Sequence, residues 1–132
     1  HEGGLKTKRG RSTFWLGFDP SGHRAVEVTL LPPGGCATDQ AVEVPSDVAG
    51  MRRFERPETL PPRLHTIRTY VFEGGCVIYD YALGAKADPA LVFTADSALD
   101  FQPRSSLVAT VAARTHGLRL CGAGAPPCMD GG

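Results

Sequence analysis

Two runs of β-forming residues flank a Gly-Gly pair, and this arrangement limits the possible folds more than any other feature of the chain. In residues 66–73, Thr-Ile-Arg-Thr-Tyr-Val-Phe-Glu, β-branched and aromatic side chains fill most positions, the composition that pleated strands prefer. Gly74 and Gly75 supply the positive φ angles of a two-residue hairpin turn. A turn there sets Phe72 opposite Val77, Tyr70 opposite Tyr79 and Ile67 opposite Ala82. Alternation then puts Tyr70, Phe72, Val77, Tyr79 and Tyr81 on one face, and Ile67, Val71, Ile78 and Ala82 on the other. Both faces are substantially apolar, so the hairpin belongs in the interior of a sheet.

The chain of 132 residues has room for one core, and its 42 % hydrophobic and 21 % charged residues exclude general disorder. Formal net charge is zero, which argues against a nucleic-acid binder driven by bulk charge. That zero hides an asymmetry: within residues 1–11, Lys6, Lys8, Arg9 and Arg11 face only Glu2. No run of about 18 apolar residues occurs, so no segment reads as a membrane-spanning helix. The first residue is His1, which reads as an excised or processed piece. Four cysteines, Cys36, Cys76, Cys121 and Cys128, contain no C-x-x-C spacing and so suggest disulfides rather than a metal site. Cys36 with Cys76 and Cys121 with Cys128 is the favoured pairing, although four cysteines permit three. Oxidised cysteines place the domain outside the cytoplasm.

In order along the chain, residues 1–11 read as a flexible basic arm or linker, residues 12–128 as a single domain, and residues 129–132 as a frayed tail. Phe14, Leu16 and Phe18 alternate as a strand. Asp19-Pro20-Ser21-Gly22 is turn chemistry, and residues 24–31 return with Val26, Val28 and Leu30 on one side. Residues 41–44 suit a short edge strand. Ser46 suits an N-cap for a short helix through about Phe54, and Pro57, Pro61 and Pro62 enforce an extended connection. Asp88-Pro89 suits a helix start, with Leu91, Ala95 and Leu99 at helical spacing, although Val92 and Phe93 would also suit residues 90–94 as a strand. Residues 104–116 form another, with Leu107/Val111 and Val108/Ala112 as an apolar stripe and Gly117 as its stop. A short strand follows at 118–121. The expected class is α+β: an antiparallel sheet of two hairpins plus a short C-terminal strand, with helices packed on one face.

The run 51–76, MRRFERPETLPPRLHTIRTYVFEGGC, and the tail 101–128, FQPRSSLVATVAARTHGLRLCGAGAPPC, resemble extracytoplasmic domains of actinobacterial membrane proteins. The resemblance implies an exported domain attached to a membrane-anchored parent, and it carries no active site. Among the residues themselves, Arg52, Arg53, Arg56 and Arg63 place four guanidinium groups within a dozen positions, a pattern able to grip phosphate or carboxylate. Glu55 and Glu58 in the same stretch offer local ion pairing instead. His65 precedes the central strand near Asp80, and such a pair can act as a base and its orienter. No G-x-S-x-G setting is present. These features lead to an expected non-enzymatic extracytoplasmic interaction or sensing domain, with an anionic ligand or a protein as partner and no nucleic acid, cofactor or metal. The alternative is a small secreted hydrolase or transferase using His65 and Asp80.

Overall fold

A computed structural model describes residues 3–18, 24–59, 64–84, 88, 90–99 and 101–114. Seven strands form one antiparallel sheet: β1 (Gly3–Lys8), β2 (Arg11–Phe18), β3 (Arg24–Leu31), β4 (Val42–Val44), β5 (Arg52–Thr59), β6 (Leu64–Phe72) and β7 (Gly75–Leu83). Their order is β1-β2-β3-β7-β6-β5-β4, so β7 lies at the centre with three strands on either side. Two helices follow, α1 (Ala90–Ala98) and α2 (Arg104–Arg114). The chain divides into two compact units. His1–Ala98 holds the sheet and α1, and Leu99–Gly132 holds α2.

The expected α+β class is corrected to a predominantly β one, because two segments assigned other conformations are strands. Residues 3–8, within the stretch expected as a flexible arm, pair along β2 in β1. Arg9 (φ 50°) and Gly10 (φ 78°) give the two successive left-handed residues that a tight hairpin turn requires. The helix expected from Ser46 does not form, and residues 47–50 make a bend and a turn instead. Ser46 Oγ accepts from the Val48 amide at 3.2 Å, a local turn that competes with helix, and Gly50 takes φ 76°. From Arg52 the chain is strand β5, and its side chains alternate faces instead of sharing one.

The 66–83 hairpin is interior, as expected, but its register differs. Phe72 pairs with Gly75, Tyr70 with Val77 and Ile67 with Asp80. The turn therefore falls on Glu73 and Gly74, and the positive φ sits at Gly75, at 137°. A Cβ there would collide with the Leu31 carbonyl of β3, which fixes glycine at the first paired position. Because the register moved by two, each side chain kept its face.

Along the register, Val26, Tyr70, Tyr79 and Tyr81 share one face, and Thr29, Phe54, Thr69 and Cys76 share the other. All eight are buried. Tyr70 meets Tyr79 edge-on at 5.9 Å and Tyr79 stacks with Tyr81 at 6.1 Å, favourable ring geometries that add to their burial. Helix α1 begins where expected, with Asp88 Oδ1 accepting from the Ala90 amide at 2.9 Å, an N-cap. No residue of α1 is buried. Polar bonds hold it to the tyrosine face: Tyr81 donates its hydroxyl to Asp96 at 2.9 Å, and Arg68 ion-pairs with the same carboxylate. In the second unit, α2 matches the helix expected from residue 104, as far as Arg114.

Cys36 and Cys76 form the expected disulfide, with Cα atoms 5.9 Å apart. It ties the loop after β3 to the start of β7, and such a bond persists in oxidising surroundings. Cys121, Cys128, the strand expected at 118–121 and the tail at 129–132 lie outside the described residues.

Candidate binding groove

The first three strands gather the basic residues of the N-terminal stretch on one side of the sheet. Gly4 pairs with Trp15, Lys6 with Thr13 and Lys8 with Arg11, and alternation points these side chains away from the tyrosine face. The Trp15 indole lies across β1 because position 4 is glycine; a Cβ there would overlap the ring. Arg24 stacks its guanidinium 4.0 Å from the centre of the Trp15 ring, a cation–π contact, and ion-pairs with Glu27. Lys6, Lys8, Arg11, Thr13, Trp15, Arg24 and Glu27 together line a groove of about 290 Å³.

Four cations against one carboxylate leave the lining three charges positive. Glu27 is engaged by Arg24, and among the described residues no carboxylate pairs with Lys6, Lys8 or Arg11. Closely spaced like charges raise the local potential and attract an anion even on a chain of zero net charge.

The arginines singled out in the sequence are arranged differently. Strand alternation separates Arg52 and Arg56 from Arg53, and Arg63 lies outside the described residues. Arg52 donates to both oxygens of Glu43, at 2.9 and 2.8 Å, across β4 and β5. Arg53, half-buried on the tyrosine face, contacts Asp47 at 3.5 Å and also Glu55. Arg68 donates to Glu55 at 2.9 Å, so one carboxylate serves two guanidinium groups. Burial by itself would raise the Glu55 pKa, but the bond from Arg53 and the charge of Arg68 outweigh it and hold the carboxyl below its ordinary range. Asp47 is lowered chiefly by the hydroxyl that Tyr70 donates to it at 2.9 Å. Burial, and then the bond to Asp47, push the Tyr70 hydroxyl up. Burial likewise raises Tyr81, reinforced by the nearby Asp96 charge. Ion pairs among Arg53, Glu55, Arg68 and Asp96 join β5, β6 and α1, the Tyr81 hydroxyl adds β7, and the separate Arg52–Glu43 pair joins β4 to β5.

His65 and Asp80 do meet, with Nε2 and Oδ1 at 2.7 Å. They sit diagonally on β6 and β7, on the same face as the groove. Asp80 is directly opposite Glu27 across β3 and β7. Like charges in that position repel, and each carboxylate has its own cationic or imidazole partner, Arg24 for Glu27 and His65 for Asp80. Neither His65 nor Asp80 lines the groove. Among the described residues no cluster of His, Cys, Asp or Glu is able to hold a metal, and no helix is long and apolar enough to cross a membrane.

Sequence reasoning missed the groove because residues 1–11 read as a solvated arm. The available signal was Arg9-Gly10 between Leu5/Thr7 and Ser12/Phe14, a glycine-containing pair between alternating runs. Comparisons with family models, with curated proteins and with solved structures find no match for this chain.

Proposed function

We propose that this chain is a non-enzymatic interaction domain of an extracytoplasmic protein, tethered to a membrane through its parent, and that it binds anionic ligands in the β1–β3 groove. The observation carrying this reading is the convergence of Lys6, Lys8 and Arg11, unpaired among the described residues, on one concave surface with Arg24. Uncompensated cations in a concavity favour ligand binding over internal ion pairing. The Cys36–Cys76 bond supports the oxidising setting.

Titration with tripolyphosphate, followed by amide chemical shifts, tests the reading. Expected are shifts in β1 and β2 that weaken with added salt and disappear in Lys6→Glu/Lys8→Glu. Arg52→Glu, outside the groove, retains them. Absence of binding by the natural chain, or equal binding by the double variant, removes the proposal.

The His65–Asp80 contact favours a second reading, a small secreted hydrolase or transferase in which Asp80 orients the imidazole as a base. Loss of a measured hydrolytic activity in His65→Ala at unchanged stability supports it; the same activity in both proteins refutes it.

A further inference from the structure

We infer that the groove takes a linear acidic polysaccharide rather than a compact anion, an assignment that rests on reading the groove as an anion site. The cations form a track, not a ring around one point. Arg24 beside Trp15 makes one tier, Lys6 beside Thr13 the next, and Lys8 opposite Arg11 the third. Successive tiers are two residues apart on the strand, about 7 Å, so the track runs for about 14 Å. A single phosphate or sulfate reaches only one tier. Acidic groups repeated along a chain reach all three, and each adds its contribution through the linkage to the others.

The rest of the lining selects among linear polyanions. Proteins that grip single-stranded nucleic acid without sequence preference stack its bases on aromatic faces. Here the indole lies over Gly4 and already carries Arg24, so it offers no such platform. The Thr13 hydroxyl lies in the middle tier opposite Lys6, and the Glu27 carboxylate lies in the first, opposite Trp15 and paired with Arg24. Sugar hydroxyls donate to a carboxylate and exchange hydrogen bonds with a hydroxyl. A phosphodiester has no donor for Glu27, and its charge is repelled there. A chain that alternates acidic groups with hydroxyls therefore complements the lining.

The experiment is isothermal titration of the whole chain with a heparin-derived hexasaccharide, a galacturonate hexamer, the corresponding disaccharides, tripolyphosphate and a twelve-residue oligothymidylate. Expected is binding of at least one hexamer roughly tenfold tighter than its disaccharide and than tripolyphosphate, and tighter than the oligonucleotide. The stronger of the two hexamers identifies sulfate or carboxylate as the acidic group. Lys6→Glu/Lys8→Glu should weaken the hexamer by roughly tenfold or more, and the milder Lys6→Ala/Lys8→Ala by less. Both variants are compared with the natural chain by circular dichroism. Tripolyphosphate binding as tightly as the hexamers overturns the polysaccharide assignment and leaves the anion site standing, as does tighter binding of the oligonucleotide. Failure of every probe overturns the anion site itself. Unchanged hexamer affinity in both folded variants overturns the location.

Discussion

Deleting the Cys36–Cys76 bond in Cys36→Ala/Cys76→Ala should cost this protein much of its stability. The bond joins positions separated by 40 residues. The chain-entropy relation for a loop of that length gives about 13 cal/mol/K, or about 4 kcal/mol at 25 °C. Cys76 is fully buried, so removing its sulfur adds about 1 kcal/mol for lost packing. A domain of ordinary stability has only about 5–15 kcal/mol in total. Urea unfolding followed by Trp15 and tyrosine fluorescence measures the difference. Expected is a fall in midpoint with a steeper dependence on urea, because an unfolded chain without the cross-link exposes more surface. Substituting the cysteine pair, rather than adding reductant, leaves Cys121 and Cys128 as they are. A loss below about 1 kcal/mol would refute the entropic argument, since the loop would then restrict the unfolded chain hardly at all.

Two further predictions concern the charged network. Asp96→Ala leaves Tyr81 and Arg68 without the carboxylate they share and should destabilise by about 2–4 kcal/mol, whereas Asp96→Asn, which keeps an acceptor for Tyr81, should recover part; equal thermal midpoints for all three proteins would discount the network. Stability should also fall at both ends of the pH scale. Asp47 and Glu55 are held below their ordinary values, so their contribution is complete above the unfolded pKa, about 4, and is lost as pH drops through the folded values. Tyr70 and Tyr81 are raised, so theirs is complete below about pH 10 and is lost as pH rises through the folded values. A midpoint unchanged from neutrality down to about pH 3 would contradict the carboxylate assignment.

How much of this was legible depended on whether the signal was local. The 24–31 strand, the edge strand at Val42–Val44, both helix starts and the interior hairpin followed from alternation, capping residues and turn residues close in sequence. The hairpin register did not, because the glycine demanded by the Leu31 carbonyl at Gly75 is a tertiary requirement. Strand β1 was invisible for a similar reason: Gly4 looks like linker until Trp15 is laid across it. The β5 arginines resembled the surface of an exposed helix. Their true setting depends on Glu43, Glu55 and Arg68, which strand pairing brings together. The Cys36–Cys76 pairing was one of three formal possibilities, and the ends of β3 and β7 were enough to favour it. The groove required β1 to be recognised first.

The strand order has a consequence for how the chain is assembled. Of the seven strands, β7 comes last in sequence and occupies the middle of the sheet. Strands β1 to β3 can pair as a meander as soon as they are made, and so can β4 to β6. Until residue 83 has been synthesised, each half presents an open inner edge, β3 on one and β6 on the other. Such edges are templates for pairing with foreign chains, and the half-sheets are the kind of incomplete species that aggregate. Strand β7 is joined to β6 by the two-residue turn at Glu73 and Gly74, so the long-range step that unites the halves is the pairing of β7 with β3. Pairing of β3 with β7 is what sets Cys76 beside Cys36, so the disulfide fastens the seam along which the two halves meet.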